Sequence, residues 1–404
     1  MSSDPSIKAL EQTIKNLEKR AGFLRTRTGR YNCNDFNKTG PHALKIIGDN
    51  MDQKPWLFGV GNGVIHLRPG ELKPGRQEQL LMKTSNIECP SNIIDAPDPE
   101  AFLKFLSEIF PDNPAIKDYL RRVFGYCLIG AQIEHVIFIL SGPNGRNGKS
   151  LLMKTILKVM GQLAGPIRAE MLMDQGRSAN PSGPTPEIAS IIGKRLICAS
   201  EAKQGSGFSL EKIKLYTGGD MVVFRGPHEK HERTAMQTHT LFLITNDHPH
   251  ASADDRAFWA RVHLIPFNQS FVDRKPENEN EHKADPNLSE KLEKELPLIL
   301  AWMVRGCLEY QRVGLKPPAV VKAAVEEYRR DEDQLADFIE ECCIEGEFLR
   351  VGATQAYEAF KEWWRNNVHN RPFSQKKFGT LFQKRYEKRK GQTVSYYGVG
   401  LRDA

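Results

Sequence analysis

The stretch Ser141-Gly-Pro-Asn-Gly-Arg-Asn-Gly-Lys-Ser150, SGPNGRNGKS, decides how this chain is read. The apolar run Val136-Ile-Phe-Ile-Leu140 precedes it, and Leu151-Leu-Met-Lys-Thr-Ile-Leu157 follows with helical spacing. Strand, glycine-rich loop and helix in that order make a cradle for a triphosphate. Glycines let backbone N–H groups turn toward phosphate oxygens, and the next helix aims its positive N-terminus at the same point. The expected cradle comprises Gly142, Asn144, Gly145, Asn147, Gly148, Lys149 and Ser150. In it, Lys149 would reach the β- and γ-phosphates of ATP, and Ser150 would ligate Mg²⁺. The spacing departs from the usual G-x-x-x-x-G-K-[ST] at one place: Pro143 stands at the first glycine position, and Gly142 comes one residue earlier.

Such a cradle needs a second strand that delivers an acid to the metal and the attacking water. The run Arg195-Leu-Ile-Cys-Ala-Ser-Glu201 supplies one, with Glu201 at the strand's C-terminal end, where open α/β sheets place their ligand groups. Ser200 stands before it in place of a second acid, so Glu201 is expected both to polarise water and to hold Mg²⁺. A third apolar run, Leu241–Thr245, ends in Asn246, whose amide can bond the attacking water or the γ-phosphate. On its own that end reads equally as a turn. Arg261 precedes a fourth run, Val262–Phe267, and by itself reads as a surface ion pair or as a finger toward a neighbour's γ-phosphate.

Outward from this centre, the chain of 404 residues is too long for one ordinary core. Its 40% hydrophobic and 26% charged residues are those of a soluble globular protein. No apolar run approaches the roughly 18–20 residues that span a bilayer, and the N-terminus has no secretory pattern. The seven cysteines form no C-x-x-C pair. A reducing, cytoplasmic compartment without zinc or disulfides is expected. The net charge of +7 is unevenly placed: from Arg350 onward twelve lysines and arginines face four carboxylates. A basic C-terminal module suits nucleic acid, and a solvated charged surface is the plain alternative.

Spacing predicts a helix over residues 5–21, hairpins from Trp56, and helices from Pro99 to Gly130. An α/β core with a largely parallel sheet follows over 134–267, then a polar loop over 272–288 and further helices to Arg330. The last 70 residues read as three helices and a terminal β-hairpin, the order of a winged helix.

In sequence order these motifs resemble superfamily 3 helicases, AAA+ ring motors, and within them the phage and plasmid primase–helicase branch that includes the poxvirus primase-helicase. The resemblance rests on GPNGRNGKS, GKRLICASE, IKLYTGGDMVVFRGPHEKHE, LITND, RAFWARVHLIPF and the tail from Asp333. It implies an α/β fold with an AAA+ P-loop core and a parallel sheet. The implied domains are a small α/β N-terminal domain (1–98), a helical segment (99–133), the core (134–271), a linker with helices (272–332) and a winged helix (333–404).

It further implies an ATP- and Mg²⁺-dependent DNA helicase, a homo-hexamer moving 3′ to 5′ on single-stranded or forked DNA, with a primase fused or separate. By position Glu201 is the catalytic acid, Asn246 the sensor, Arg261 the finger acting in trans and Lys214 a second basic residue across the interface. A channel hairpin between Val223 and Arg233 would grip DNA through Arg225, Lys230 and His231. In the tail, Lys376, Lys377, Lys384, Arg385, Lys388 and Arg389 would meet DNA, while Trp363, Trp364, Phe373 and Phe378 read as core. Two other classes compete: a replication initiator or loader that remodels origin DNA without processive unwinding, and a small-molecule P-loop kinase. The kinase has no use for a basic tail.

Overall fold

The computed structural model describes residues 5–38, 51–111, 113–142, 145–176, 185–201, 205–226, 229, 231–367, 372, 374–391 and 393–402. The chain divides into two compact units, residues 1–54 with 76–82 and residues 55–75 with 83–404. In the first unit, helix α1 (Pro5–Arg25) meets α2 (Arg27–Lys38) at Thr26, whose hydroxyl donates to the Phe23 carbonyl (2.7 Å) and accepts from Gly29 N (3.0 Å). The apolar residues that predicted α1 do form a stripe, but Leu10, Ile14 and Leu17 are exposed.

The second unit opens with an antiparallel meander of β1 (Leu57–Val60), β2 (Gly63–His66) and β3 (Glu71–Lys73). Its inward side chains Phe58, Ile65 and Leu67 join the same apolar core as the helices that follow. The meander therefore shares one core with the helices that follow it. Helices α3 (Glu100–Ile109) and α4 (Pro114–Tyr126) come next.

The centre is a five-stranded parallel sheet. Its strands are β4 (Ile137–Ser141), β5 (Ala164–Ile167), β6 (Leu196–Ser200), β9 (Thr240–Thr245) and β10 (Val262–Pro266), in the order β10-β4-β9-β6-β5. Every residue of β4 and β9 is buried, which is why these strands read as unbroken apolar runs rather than alternating ones. Connecting them are α5 (Lys149–Met160), α6 (Pro186–Ile191), α7 (Leu210–Thr217), an antiparallel hairpin of β7 (Met221–Phe224) and β8 (Arg233–Met236), and α8 (Arg256–Trp259).

Beyond the sheet, β11 (Ser270–Val272) pairs in parallel with β12 (Glu281–Lys283), so the polar stretch expected as a loop carries a strand. Then come α9 (Leu288–Lys294), α10 (Leu296–Val313) and α11 (Ala319–Asp331). Helix α10 crosses α4 at a pair of glycines. A Cβ on Gly125 would lie 2.1 Å from Cys307 N, and one on Gly306 would lie 2.0 Å from the Arg121 carbonyl oxygen, so only glycine permits the crossing.

The tail holds α12 (Gln334–Cys342), β13 (Cys343–Gly352), α13 (Ala353–Asn367), α14 (Gln375–Phe382), β14 (Glu387–Lys390) and β15 (Val394–Leu401). The sheet order is β13-β15-β14, antiparallel. Strands β14 and β15 are the expected terminal hairpin, whereas β13 was unforeseen. Aromatic rings fill this small core, with Phe360 against Phe378 (4.8 Å) and Phe382 against Tyr396 (4.8 Å); Trp363, Trp364 and Phe378 are buried, as read from their spacing. Phe373 lies outside the described residues. Among the described residues no helix is long and apolar enough to cross a membrane.

Candidate functional site

The loop after β4 enters helix α5 through Gly148, which adopts φ +83°, ψ −10° and gives no side-chain cap. The first turn of α5 thus keeps backbone N–H groups for an outside acceptor. The loop cannot spread: a Cβ on Gly142 would lie 2.2 Å from the Phe267 carbonyl oxygen. Asn147 donates from Nδ2 to the Gln269 carbonyl (2.9 Å), fixing the loop against the segment after β10.

Lys149 is 5% exposed. Its ammonium donates to the Gly142 carbonyl (2.8 Å), Asn147 Oδ1 (3.1 Å) and Asn246 Oδ1 (3.0 Å). All three acceptors are neutral, and burial pulls its pKa down to about 8. A buried cation held only by neutral oxygens gains from any anion brought beside it. Asn246 reaches this position because β9 lies beside β4 with Thr245 opposite Ser141. Glu201 follows β6, the next strand over, and its N–H donates to the Ile244 carbonyl (3.0 Å). It stands at φ +58°, a left-handed conformation that costs a non-glycine residue about 1 kcal/mol or more and that clusters at working sites. Its side chain is exposed and borders the same cleft.

That cleft, of about 1010 Å³, lies beyond the carboxyl ends of the strands. It brings together Gly145, Asn147, Gly148, Lys149, Ser150, Glu201 and Asn246 from the expected set. Asn144 lies outside the described residues. The cleft also takes in Phe105 of the helical stretch expected from Pro99, Phe271 just before the expected polar loop, and Asp273, Asp285 and Leu288 within it. Arg146 of the loop forms an ion pair with Asp273 (2.6 Å), and its carbonyl accepts from Phe271 N (2.9 Å). A polar Pro/Asn/Glu-rich composition hides such residues; the one signal was the apolar Phe271 immediately before it.

Arg261 and Lys214 do not line this cleft. The Arg261 carbonyl accepts from Ile137 N (2.9 Å), at the amino end of β4, while the cradle follows its carboxyl end. The two ends are about 13 Å apart at ~3.3 Å per residue. The Arg261 guanidinium donates to the Ala257 carbonyl (2.8 Å), and its Nε is buried with no acceptor among the described residues. Lys214 bonds Asp255 (2.7 Å), the residue that caps α8 by accepting from Phe258 N (2.9 Å). Hydrogen bonds from Lys214 and backbone N–H groups hold the Asp255 carboxyl below its usual range against the opposing effect of burial, the largest single influence on it. Both basic residues therefore serve one flank, built on α7 and α8.

The hairpin expected between Val223 and Arg233 is the β7–β8 turn. Phe224 pairs with Arg233, whose guanidinium lies 5.0 Å from the Phe224 ring centroid. The Arg225 backbone bonds Thr185, and His231 is exposed; Lys230 lies outside the described residues. In the tail, Lys376, Lys377 and Lys388 are exposed. Lys384 faces Asp254 (3.5 Å), Arg385 pairs with Asp333, and Arg389 pairs with Glu387 (2.8 Å). Part of the tail's positive charge is thus met by the protein's own carboxylates.

Two family models match the chain. "D5 N terminal like" covers residues 3–111, and "Poxvirus D5 protein-like" covers residues 330–400. The chain's relatives include "Putative helicase L207/L206" of Acanthamoeba polyphaga mimivirus, 28% identical over 332 residues, which are 79% of this chain and 34% of that protein. "Putative helicase 022R" of Frog virus 3 is 24% identical over 78% of this chain and 39% of its own length. "Putative primase C962R" of African swine fever virus is 22% identical over 79% of this chain and 34% of its own length. The chain thus spans little more than a third of the length of the curated relatives it matches. A solved apo structure of the NrS-1 C terminal region aligns loosely, over 80% of this chain and 81% of that one, with 12% identity and a TM-score of 0.40.

Proposed function

We propose that this chain is the ATP-driven motor of a viral DNA-replication helicase. The observation that carries the reading is the Lys149 ammonium, buried and held by neutral oxygens from two neighbouring strand ends, Gly142 after β4 and Asn246 after β9. The names of its relatives, helicases and primases of large DNA viruses, point the same way.

The residues fit ATP with Mg²⁺. The uncapped first turn of α5 and the Lys149 ammonium suit the phosphates; Ser150 and Glu201 would hold the metal. The metal would supply Lewis-acid neutralisation of charge growing on the γ-phosphate. Glu201 orients and deprotonates the attacking water. Asn246 exchanges its bond to Lys149 for one to the γ-phosphate and so registers whether that group is present. Arg261, too far from its own cradle, completes the site of the next subunit, with Lys214 behind it. The core is then an AAA+ core in a homo-hexamer that encircles one strand of single-stranded or forked DNA and moves 3′ to 5′. The β7–β8 hairpin, with Arg225, Lys230 and His231, is its lever. Residues 333–404 act as a winged helix that meets duplex through α14 and the β14–β15 hairpin, by Lys376, Lys377, Lys384, Arg385, Lys388 and Arg389. A primase works beside it.

DNA-stimulated ATP hydrolysis together with strand displacement on a forked substrate tests the reading. Both should vanish in Lys149→Ala. ATP hydrolysis that ignores DNA would refute the motor. Hydrolysis and duplex binding without displacement would favour an origin-remodelling ATPase.

A further inference from the structure

Fourteen residues separate Asn246 from Arg261, and the last turns of α11 grip that segment at several points. The Tyr328 hydroxyl donates to the Pro249 carbonyl. Arg329 Nε donates to the Ala253 carbonyl (3.0 Å), and Glu332 accepts from Ala251 N (2.9 Å) and faces His250 Nδ1 (3.2 Å). These contacts come from one short helical stretch and fall on successive parts of residues 249–253.

Tyr328 does more than pin the backbone. It is 1% exposed, and its ring touches two others. On one side lies His248, with centroids 4.4 Å apart; His248 Nε2 bonds Ser141 Oγ (2.7 Å), the last residue of the strand that leads into the phosphate loop. On the other side lies Trp259, 4.9 Å away and edge-on at 83°, at the end of α8 and two residues before Arg261. Trp259 is itself fixed by a bond from Nε1 to the Ser252 carbonyl (2.9 Å). One side chain therefore touches both a residue bonded to the strand that ends at the chain's own cradle and the element that carries the arginine away from it.

We infer that Tyr328 is a positioning residue that couples the two: it holds α8 so that the Arg261 guanidinium is presented to a neighbour in a position that depends on the state of the chain's own cradle. The inference rests on the proposed reading of Arg261 as a finger acting in trans. A shift of Ser141 or Asn246 on nucleotide binding moves His248, and the densely packed ring pair His248–Tyr328 and Tyr328–Trp259 cannot absorb that shift without moving α8. The coupling is tested by a double-mutant cycle.

The bond to Pro249 is what fixes the Tyr328 ring between His248 and Trp259, so Tyr328→Phe, which keeps both rings and deletes that bond, loosens the link. ATP affinity, KM and kcat are measured in wild type, Tyr328→Phe, Arg261→Ala and the double variant. The expected result is a kcat about five- to tenfold lower in Tyr328→Phe, with ATP affinity and KM unchanged, and no further fall when the change is added to Arg261→Ala. Trp259→Phe approaches the same link from the α8 side and must show the same pattern. It also decides the matter if Tyr328→Phe fails to fold. Losses that multiply in the double variant, a lowered ATP affinity, or an unchanged kcat would each overturn the inference while leaving an inactive Arg261→Ala as evidence for the finger. A fully active Arg261→Ala would overturn the finger and this inference with it.

Discussion

Raising the pH should weaken nucleotide binding, and Lys149 sets both the direction and the size. In the free protein burial lowers its pKa to about 8. A bound triphosphate adds negative charge beside the ammonium and returns the pKa toward the ordinary lysine value of about 10.4 or higher. The folded, nucleotide-free state therefore has the lower pKa and the bound state the higher one. Binding takes up a proton between the two values. Affinity is full about a unit below pH 8, is halved near pH 8 and falls further as pH rises, approaching tenfold per unit. With a free-state pKa of about 8, affinity at pH 9 should be about tenfold below that at pH 7, or about 1.4 kcal/mol. With Mg²⁺ in excess the terminal phosphate is kept ionised, and any residual titration of the nucleotide appears equally in Lys149→Met, so the difference between the two profiles reports the protein. The assay is equilibrium titration with a non-hydrolysable ATP analogue at pH 7, 8 and 9 and constant ionic strength. Lys149→Met, which cannot titrate, should bind more weakly at every pH and show a flat profile. A flat wild-type profile, or the same slope in Lys149→Met, would refute the assignment of the buried ammonium to the phosphates.

Glu201→Gln should bind ATP as wild type does and hydrolyse it about 10²–10⁴-fold more slowly, by single-turnover kinetics; normal turnover would mean that the acid lies elsewhere. Deleting residues 333–404 should lower duplex affinity and flatten its salt dependence in a filter-binding series, while leaving ATP affinity in place. An unchanged salt slope would assign the tail to a protein partner. Gly306→Ala forces a methyl to within 2.0 Å of the Arg121 carbonyl oxygen, and should destabilise the chain by about 1–3 kcal/mol in denaturant unfolding. Wild-type stability there would show that α4 and α10 can part without cost.

Much of the central sheet was legible because parallel strands buried on both faces leave continuous apolar runs, as in Ile137–Ser141 and Thr240–Thr245. The glycine-rich loop and the start of α5 were legible because their signals are local: glycines, a lysine and a helical apolar pattern within a few residues. The Lys149–Asn246 bond spans 97 positions and could be anticipated only from the order of motifs. The rim of the cleft was not legible. Asp273 lies where composition announces a loop, and its place at the cleft depends on pairing with Arg146 across 127 positions. Strand β13 was missed for a related reason. Most of its residues are exposed at a sheet edge, so no alternation marks it, and its partner β15 lies some 50 positions away. The stripe of α1 shows the converse: heptad-like spacing predicted the helix correctly and said nothing of whether Leu10, Ile14 and Leu17 would be covered.

The central claim is that each cradle is completed by a neighbour's arginine, and subunit mixing tests it most directly. Lys149→Ala subunits have no working cradle but keep Arg261; Arg261→Ala subunits keep the cradle and lack the finger. Each alone should be nearly inactive, the second by about 10³-fold or more. With exchange verified by labelled subunits, the mixture should recover ATPase activity, because an Arg261→Ala cradle beside a Lys149→Ala finger is a whole site. Activity that stays at the level of the separate variants, despite exchange, would contradict the account.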